Sequence, residues 1–362
     1  MKRTLTIPMG SQHIALLEPL HFRFTCENEK IVGVDADVGY VHRGIELACA
    51  SKFKFRQVSF VVGRVCGLCS ISHTTAYSQA AERLLGLDIS KKAKYLRILV
   101  IELDRLHSHL LCLAHTAENT GFEALFMQIM RDREASMELL ELVTGNRVQF
   151  DYSCVGGVTR DITTDIEKEL TRKLAKLKTD LEELYEVFRT NWSLSLRYKG
   201  VGALNAQQIK ELNAVGPLAR AAGVAIDVRS DTEDLLPWKE VGYKMMVEQT
   251  GDVYARNIVR FREMFNSFEI IENVLRGMPQ GDLVTETKAN PQGEAVSRLE
   301  APRGELFYYI KGNNTPVLER VKIKAPTFSN VAAFIEIFKG QEYASVPPIL
   351  ASLDPCLSCT AR

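Results

Sequence analysis

The sequence has no excess of charge of either sign and no hydrophobic run long enough to cross a bilayer. Lysine and arginine together number 45, as do aspartate and glutamate, so the formal net charge is zero. A neutral chain without a basic block gives no electrostatic reason to expect nucleic acid as a partner. A spanning helix needs about 20 successive apolar residues, and a signal peptide needs a continuous apolar core. Since neither is present, we expect a cytoplasmic protein that reaches a membrane only through partner subunits.

Cysteine is too scarce for a disulfide scaffold, with eight residues among 362. Four of the eight cysteines form two Cys-x-x-Cys pairs: Cys66 with Cys69, and Cys356 with Cys359. The unpaired cysteines lie in apolar surroundings and are interpreted as small buried side chains: Cys26, Cys49, Cys112 and Cys154. Proline- or glycine-rich linkers, internal repeats and low-complexity stretches are also missing. This favours one domain over residues 1–362 rather than two.

Hydrophobic periodicity predicts strands at both ends of the chain and long helices between them. Two alternating runs around the polar turn 27–30 indicate a hairpin in an N-terminal β region over about 4–40. Long helical patterns fill a body over about 43–278, and in the helix from Lys91 to about Asn119 the leucines recur on one face. Strand patterns return at 294–314 and 318–326, before a short helix, in a C-terminal β/α region over about 293–362. This order predicts a mainly α fold with small β-sheets, of the α+β class.

The paired cysteines allow three chemical interpretations. Two pairs supply the four ligands of a structural zinc site, one pair suffices for a redox motif, and thiolates also suit a catalytic soft metal. The 286 residues between the pairs are far more than most zinc modules contain. Charged and titratable residues also surround the pairs, with Arg64 and His73 near the first and Asp354 directly before Pro355 and the second. From the residues alone, structural zinc and a catalytic soft metal both remain open.

Several motifs together resemble the large subunit of [NiFe] hydrogenases. "RVCGLC" with a trailing histidine and the terminal "DPCLSC" are similar to that family's two metal-binding signatures. "VGYVHRGIE" looks like its Arg-Gly-x-Glu segment, and "LEAPRGE" like its Ala-Pro-Arg-Gly segment. "GSQHIALLEPLHF", "LDRLHSHLL" and "YSCVGGVTRDI" are similar to the membrane-bound, energy-converting branch, which is related to the quinone-site subunit of respiratory complex I. The resemblance runs from about Ile14 to the last residue and implies that family's long-helix bundle core, with the C-terminal region returning to the active site.

The resemblance implies a Ni–Fe centre held by the four paired cysteines, with carbon monoxide and cyanide as further ligands of the iron. Cys66 and Cys356 would be terminal nickel ligands, and Cys69 and Cys359 would bridge nickel and iron.

A second metal is implied near Glu46, which matches a position that ligates magnesium or iron. The best-known members end in a histidine that also binds this ion, whereas this sequence ends in Arg362, which cannot be a ligand. The sequence leaves open whether an ion lies near Glu46 or Arg362 pairs with it instead.

The resemblance also implies catalytic roles for five residues. Glu18 would relay protons from a nickel-bound thiolate, and Arg303 would place its guanidinium over the open metal position. Asp354 would orient Arg303, His73 would donate a hydrogen bond to a bridging thiolate, and Asp104 is a weaker candidate for the same surroundings. Without the resemblance, these would be interpreted as surface charges, turn residues or ordinary helix positions.

Three other histidines of the long helix are expected to be ordinary helix surface: His107, His109 and His115.

The function implied is that of the catalytic subunit of an energy-converting [NiFe] hydrogenase, which interconverts dihydrogen with protons and electrons. Since no cysteines remain for an electron-transfer cluster, a small partner subunit with a [4Fe–4S] cluster is implied. A ferredoxin-type carrier, further hydrophilic subunits and ion-translocating membrane subunits are also implied, with this chain at the cytoplasmic face of the membrane. Two alternatives are a complex I-type quinone-reductase subunit and a non-catalytic, zinc-binding structural subunit.

Overall fold

Long helices occupy the middle of the chain, and small antiparallel sheets lie on either side of them in sequence. The structure is a computed structural model that describes residues 4–232 and 235–362. The strands are β1 (Thr4–Met9), β2 (His21–Glu27), β3 (Lys30–Asp37), β4 (Ser153–Cys154), β5 (Gly157–Val158), β6 (Gln292–Ala301), β7 (Gly304–Asn313) and β8 (Arg320–Lys324). The predicted α+β class, mainly α with small β-sheets, is confirmed.

The helices include the four long patterns expected from the sequence. They are α1 (Ile45–Ser51), α2 (Phe55–Val62), α3 (Ser70–Leu85), α4 (Lys91–Glu118), α5 (Glu123–Thr144), α6 (Thr164–Thr190), α7 (Trp192–Tyr198), α8 (Ala206–Glu211), α9 (Pro217–Ala221), α10 (Val253–Arg276), α11 (Pro326–Ile337), α12 (Val346–Leu353) and α13 (Leu357–Ala361). Within the described parts of the chain, none of these helices is both long and apolar enough to cross a membrane.

The N-terminal sheet has the order β1-β2-β3, with antiparallel pairing throughout. The predicted hairpin between β2 and β3 is confirmed, and Asn28 in its turn adopts a left-handed backbone conformation that asparagine tolerates. The alternating run before His21 does not form a strand. Pro19 has no N–H to donate to a ladder, so β2 begins after it and residues 11–20 form turns that carry Glu18.

Helix α4 crosses the centre of the protein and is buried on nearly all sides. The predicted leucine face is fully buried, as expected: Leu99, Leu103, Leu106, Leu110 and Leu113. The helix also packs against α5, α10 and α12, which cover its remaining faces. The expectation that His107 and His109 belong to an ordinary helix surface is therefore wrong, since they are 2% and 0% exposed, whereas His115 is half-buried.

A network of buried charges joins α4, α9 and α10 to the end of β6. Arg105 of α4 donates to the main-chain oxygen of Glu300 over 2.8 Å, and Arg220 of α9 donates to the Glu300 carboxylate over 2.7 Å. Arg220 also binds Glu263 of α10 through its Nε, over 2.9 Å. Because charges this deep are stable only when paired, the network fixes the strand end that precedes Arg303.

The C-terminal sheet and helices bring the end of the chain back to the centre. Strands β6 and β7 pair antiparallel through Ala301 and Gly304, so Pro302 and Arg303 form a two-residue turn between them. After β8 and α11, helix α12 ends at Leu353, directly before Asp354, and α13 carries the buried Cys359 three residues from the C-terminus. The Arg303 turn, the loop before α3 and the tail thus meet in one place.

Candidate metal centre

The four paired cysteines form one buried group, although the two pairs lie at opposite ends of the chain. Their sulfur atoms all lie within 4.8 Å of one another, and none of these four cysteines is more than 4% exposed. Cys69 Sγ is 3.4 Å from Cys359 Sγ, Cys66 Sγ is 3.4 Å from Cys356 Sγ, and Cys356 Sγ is 2.9 Å from Cys359 Sγ. Four thiol groups at this separation fit a soft metal, which prefers thiolate ligands. The donor set therefore suits a nickel–iron centre and suits zinc equally well.

The electrostatics of the cysteine group favour one thiolate in the absence of metal. Hydrogen bonds from the Cys356, Cys359 and Cys69 thiols lower the pKa of Cys66 well below its usual range, despite burial. Burial, together with the neighbouring sulfurs, raises the pKa of Cys359 well above its usual range. A metal bound here must therefore displace protons from the remaining thiols.

Arg303 lies at the tip of the β6–β7 turn and is held by groups from two other elements. Its Nη2 donates to Asp354 Oδ1 over 2.7 Å, and its Nε donates to the Asp354 main-chain oxygen over 2.9 Å. Its Nη1 donates to Ser108 Oγ of α4 over 3.2 Å. Burial by itself lowers the pKa of Arg303. The charges of Asp354 and the cysteines outweigh this effect and raise that pKa above its usual value. The turn thus places a fixed cation beside the cysteine group, and Arg303 lines a small cavity together with Cys69, Cys356 and Cys359.

His73 connects the cysteine group to a tyrosine of the C-terminal sheet. Its Nε2 lies 3.3 Å from Cys359 Sγ, and its Nδ1 lies 2.6 Å from the hydroxyl of Tyr308. Burial lowers the pKa of His73 to about 4, so the ring is neutral at physiological pH. Beside a metal-bound Cys359 thiolate, which can only accept, both contacts are satisfied when Nε2–H donates to sulfur and the Tyr308 hydroxyl donates to Nδ1.

Glu18 lies against the terminal cysteine motif rather than on a strand. Its carboxylate accepts hydrogen bonds from the main-chain N–H of Ser358 over 2.9 Å, from the N–H of Leu357 and from the Ser358 hydroxyl. The side chain is half-buried in the turn segment 11–20. The Glu18 carboxylate thus binds the two residues that lie between Cys356 and Cys359 in sequence, at the start of α13.

Asp104 lies beneath the loop that carries the first cysteine pair. Its Oδ1 accepts a hydrogen bond from His107 Nε2 over 3.2 Å, and the same nitrogen lies 3.1 Å from the main-chain oxygen of Leu68. Its Oδ2 is buried and has no hydrogen-bond partner among the described residues. Burial raises the pKa of Asp104, and the charge of Cys66 raises it further, against the opposing effect of His107.

The surroundings of Glu46 do not fit a second metal. Glu46 Oε1 accepts hydrogen bonds from the main-chain N–H of Ile323 over 2.9 Å and from Arg362 Nε over 2.7 Å. Lys322 Nζ lies 3.5 Å from Oε2. Burial raises the pKa of Glu46, but these donors lower it below its usual value. The charge of the Glu46 carboxylate is therefore already neutralised by two cations, Arg362 and Lys322. The pairing of Arg362 with Glu46 is the alternative that the structure supports, and the described residues offer a magnesium or iron ion no group of three or more histidine, cysteine or acidic ligands there.

Sequence reasoning did not identify three residues of this region. Ser108 contacts Arg303, Tyr308 contacts His73, and Arg43 contacts both cysteine segments. Arg43 lies within the "HRG" motif, which was the available signal. Tyr308 and Ser108 carry no sequence signal, because their partners are 235 and 195 residues away.

Comparisons with known proteins cover nearly the whole chain. Residues 119–290 and 282–362 match the family described as respiratory-chain NADH dehydrogenase, 49 Kd subunit, and residues 43–118 match nickel-dependent hydrogenase. The carbon monoxide-induced hydrogenase of Rhodospirillum rubrum is 39% identical over 99% of both chains. The membrane-bound hydrogenase subunit alpha of Pyrococcus furiosus is 35% identical over 98% of this chain and 87% of that protein.

A solved structure has the same fold over its full length. A chain of the membrane-bound sulfane sulfur reductase, an archaeal respiratory membrane complex, superimposes with a TM-score of 0.93 at 28% identity. The match covers 99% of this chain and 98% of that one. The chain therefore belongs to the family that comprises the large subunits of membrane-bound nickel-dependent hydrogenases and the 49 kDa subunit of respiratory NADH dehydrogenase.

Proposed function

We propose that this chain is the catalytic subunit of an energy-converting [NiFe] hydrogenase. The reaction is the reversible cleavage of dihydrogen into protons and electrons, with the electrons exchanged with a ferredoxin-type carrier. The observation that carries the proposal is the group of four buried cysteines within 4.8 Å of one another, in a chain 39% identical to a hydrogenase. Cys66, Cys69, Cys356 and Cys359 would hold the nickel and the iron, and the iron would also carry carbon monoxide and cyanide. The centre would supply the heterolytic cleavage and formation of dihydrogen.

The residues around the cysteines would prepare the site for a reaction that separates charge. Arg303 stays positively charged and is held in place by Asp354, so it presents a fixed cation to the small cavity beside the cysteines. His73 is neutral and donates to the sulfur of Cys359, which withdraws electron density from that thiolate. Neither residue needs to move or change its charge during turnover.

Glu18 would take the proton away from the site. Its carboxylate is bound to the N–H of Ser358, next to Cys359, and lies in a half-buried turn segment at the edge of the protein. A carboxyl group in this position can accept a proton from the site and pass it to solvent. Asp104, buried beneath the first pair with one oxygen that has no partner among the described residues, would be a further polar group in the same surroundings.

Electrons would leave through a partner subunit. In the described parts of the chain, the paired cysteines are the only group of three or more histidine, cysteine and acidic residues that could hold a metal. A [4Fe–4S] cluster would come from a small partner subunit, and further hydrophilic and membrane subunits would couple electron transfer to ion translocation. Relatives include a membrane-bound hydrogenase and a respiratory membrane complex, which supports a peripheral position at the cytoplasmic face of a membrane.

A quinone-reductase subunit of the complex I type is the second candidate. The match of residues 119–362 to the 49 kDa subunit family favours it. A quinone-reducing function, however, does not require the group of four buried thiols formed by Cys66, Cys69, Cys356 and Cys359. Zinc at the cysteines is the remaining alternative.

The experiment is metal analysis of the purified complex together with a hydrogen-dependent dye-reduction assay. One nickel per chain with hydrogen-dependent dye reduction supports the hydrogenase. Stoichiometric zinc without activity supports a structural subunit, and the absence of any bound metal supports a quinone-reductase subunit.

A further inference from the structure

Arg43 connects the two cysteine segments through their main-chain oxygens. Its guanidinium Nη2 donates to the oxygen of Val65 over 2.8 Å and to the oxygen of Ser358 over 2.9 Å. Its Nη1 donates to the oxygen of Arg64 over 3.0 Å. Val65 directly precedes Cys66, and Ser358 directly precedes Cys359. One side chain therefore bridges two segments that are about 290 residues apart.

The neighbouring backbone contributes to the same contact. The main-chain N–H of Arg43 donates to the oxygen of Arg362 over 3.4 Å, and His42 Nδ1 lies 2.6 Å from the oxygen of Ala361. The Nε of Arg43 donates to the oxygen of Val41 over 3.1 Å, which fixes the guanidinium relative to its own segment. The last residues of the chain are thus docked onto segment 41–43.

All acceptors of the Arg43 guanidinium are carbonyl oxygens. Among the residues that the structure describes, Arg43 makes no ion pair with a carboxylate, although its residue is exposed at the surface. A guanidinium carries five N–H donors in a fixed plane and can bind carbonyls on several edges at once. A lysine has the same charge but a flexible point-like donor, which cannot reproduce this geometry.

We propose that Arg43 is a positioning residue that holds the two cysteine pairs at metal-binding separation before any metal binds. Other contacts also hold the tail, such as those of Glu18 with Ser358 and of His73 with Cys359, but the Arg43 guanidinium binds the residue before one cysteine of each pair at the same time. The proposal depends on the four-cysteine group and not on which metal that group binds. It can therefore fail while the hydrogenase assignment stands, and the reverse is equally true.

The test uses the full-length chain in its metal-free, reduced form, with cobalt(II) alone as the probe. Cobalt bound by thiolates gives charge-transfer absorption, which reports the number and geometry of sulfur ligands independently of hydrogenase activity. Variants R43K and R43M are compared with R64M. Arg64 is the adjacent control because its guanidinium binds Asp151 and not the terminal segment. We expect R43M and R43K to bind cobalt about 10-fold more weakly than the wild type, and R64M to bind normally.

Disulfide mapping supplies the second measurement. Mild oxidation of the metal-free chain with diamide, followed by mass spectrometry, measures disulfides between pairs against disulfides within a pair. Cys66 Sγ lies 3.4 Å from Cys356 Sγ, and Cys356 Sγ lies 2.9 Å from Cys359 Sγ, so the wild type and R64M should form disulfides both between pairs and within the terminal pair. In R43M and R43K the share of disulfides between pairs should fall.

Two results overturn the proposal. If R43K binds cobalt and cross-links as the wild type does, charge alone suffices and the geometry of Arg43 is not required. If R43M and R64M behave alike in both measurements, Arg43 does not position the segments. Circular dichroism checks that each variant is folded, and if R43M does not fold, R43K decides the outcome because it keeps the charge and most of the side chain.

Discussion

Arg303 and Asp354 form a buried ion pair in which Arg303 Nη2 lies 2.7 Å from Asp354 Oδ1. Asp354 adopts a left-handed backbone conformation with φ of 54° at the end of α12, two residues before Cys356. The pair therefore joins the β6–β7 turn to the terminal cysteine motif. The distance between the guanidinium and the cysteine sulfurs is set by this ion pair and by the second hydrogen bond to the Asp354 main chain.

The first prediction concerns the variant R303K, which keeps the charge but loses the planar fork. Lysine cannot bind both oxygens of Asp354 and Ser108 at once, so its charge is no longer fixed beside the cysteines. We expect hydrogen oxidation to fall by roughly 100-fold with nickel and iron content unchanged. R298K, a partly exposed position on β6, is the control. Equal activity of R303K and R298K in the purified complex would show that Arg303 has no role in the reaction.

The second prediction concerns the variant Y308F, which removes the hydroxyl that binds His73 Nδ1. Without this donor the tautomer of His73 is no longer fixed, so the hydrogen bond from Nε2 to Cys359 is partly lost. The Cys359 thiolate would then donate more electron density to the metals proposed to bind there. We expect the infrared bands of the iron ligands to move to lower wavenumber in Y308F.

The neighbouring Y309F is the matched control for this measurement. Tyr309 follows Tyr308 on β7, so its side chain points to the opposite, less buried face of the sheet. If the band positions are the same in the wild type, Y308F and Y309F, the Tyr308 hydroxyl does not influence the metal centre through His73.

The third prediction concerns the variant E18Q. Glutamine can still accept a hydrogen bond from the N–H of Ser358 but cannot take up a proton, so the fold of the tail is retained while proton transfer is lost. We expect turnover to fall by about 100-fold or more, with unchanged metal content and unchanged infrared bands. E29Q, an exposed position next to the β2–β3 turn, should be fully active. Wild-type proton–deuterium exchange in E18Q would contradict a role in the relay.

The fourth prediction concerns the pH dependence of stability and His109. Burial lowers the pKa of His109 to about 3, although its hydrogen bond to Glu263 raises it and the nearby Arg105 and Arg260 lower it. The unfolded chain takes up a proton near pH 6.5 that the folded chain does not, so the free energy of unfolding decreases as the pH falls from about 6.5 towards 3. Between about pH 7 and pH 5 this one group accounts for a loss of about 2 kcal/mol.

Urea unfolding of the wild type and of H109Q at these two pH values measures this contribution. Glutamine can donate to Glu263 as His109 does, over a similar distance, but it does not titrate. The pH difference should therefore be about 2 kcal/mol smaller in H109Q. An identical difference in both proteins would mean that His109 is protonated in the folded chain.

The sequence predicts the long helices and the cysteine chemistry because both depend on local patterns. The leucines of α4 recur at helical spacing, and Gly86 and Gly145 end their helices in left-handed conformations, as the glycine signal indicates. The cysteine motifs and the "APRG" segment likewise identify themselves by residue type and spacing. These features need no knowledge of what packs against them.

Features that depend on tertiary packing could not be predicted in this way. His107 and His109 have the composition of a helix surface and are buried only because α5, α10 and α12 surround α4. Tyr308 is one of several aromatic residues on β7, and nothing local connects it with His73. Arg43 acts on main-chain oxygens, which every sequence contains, so its partners leave no pattern.

Infrared spectroscopy of the purified complex, with its nickel content measured on the same sample, tests directly whether the four cysteines hold a nickel–iron centre. We expect one nickel per chain and stretching bands of carbon monoxide and cyanide bound to iron at the centre held by Cys66, Cys69, Cys356 and Cys359. A complex that contains this chain intact but has no nickel and none of these bands would contradict this expectation.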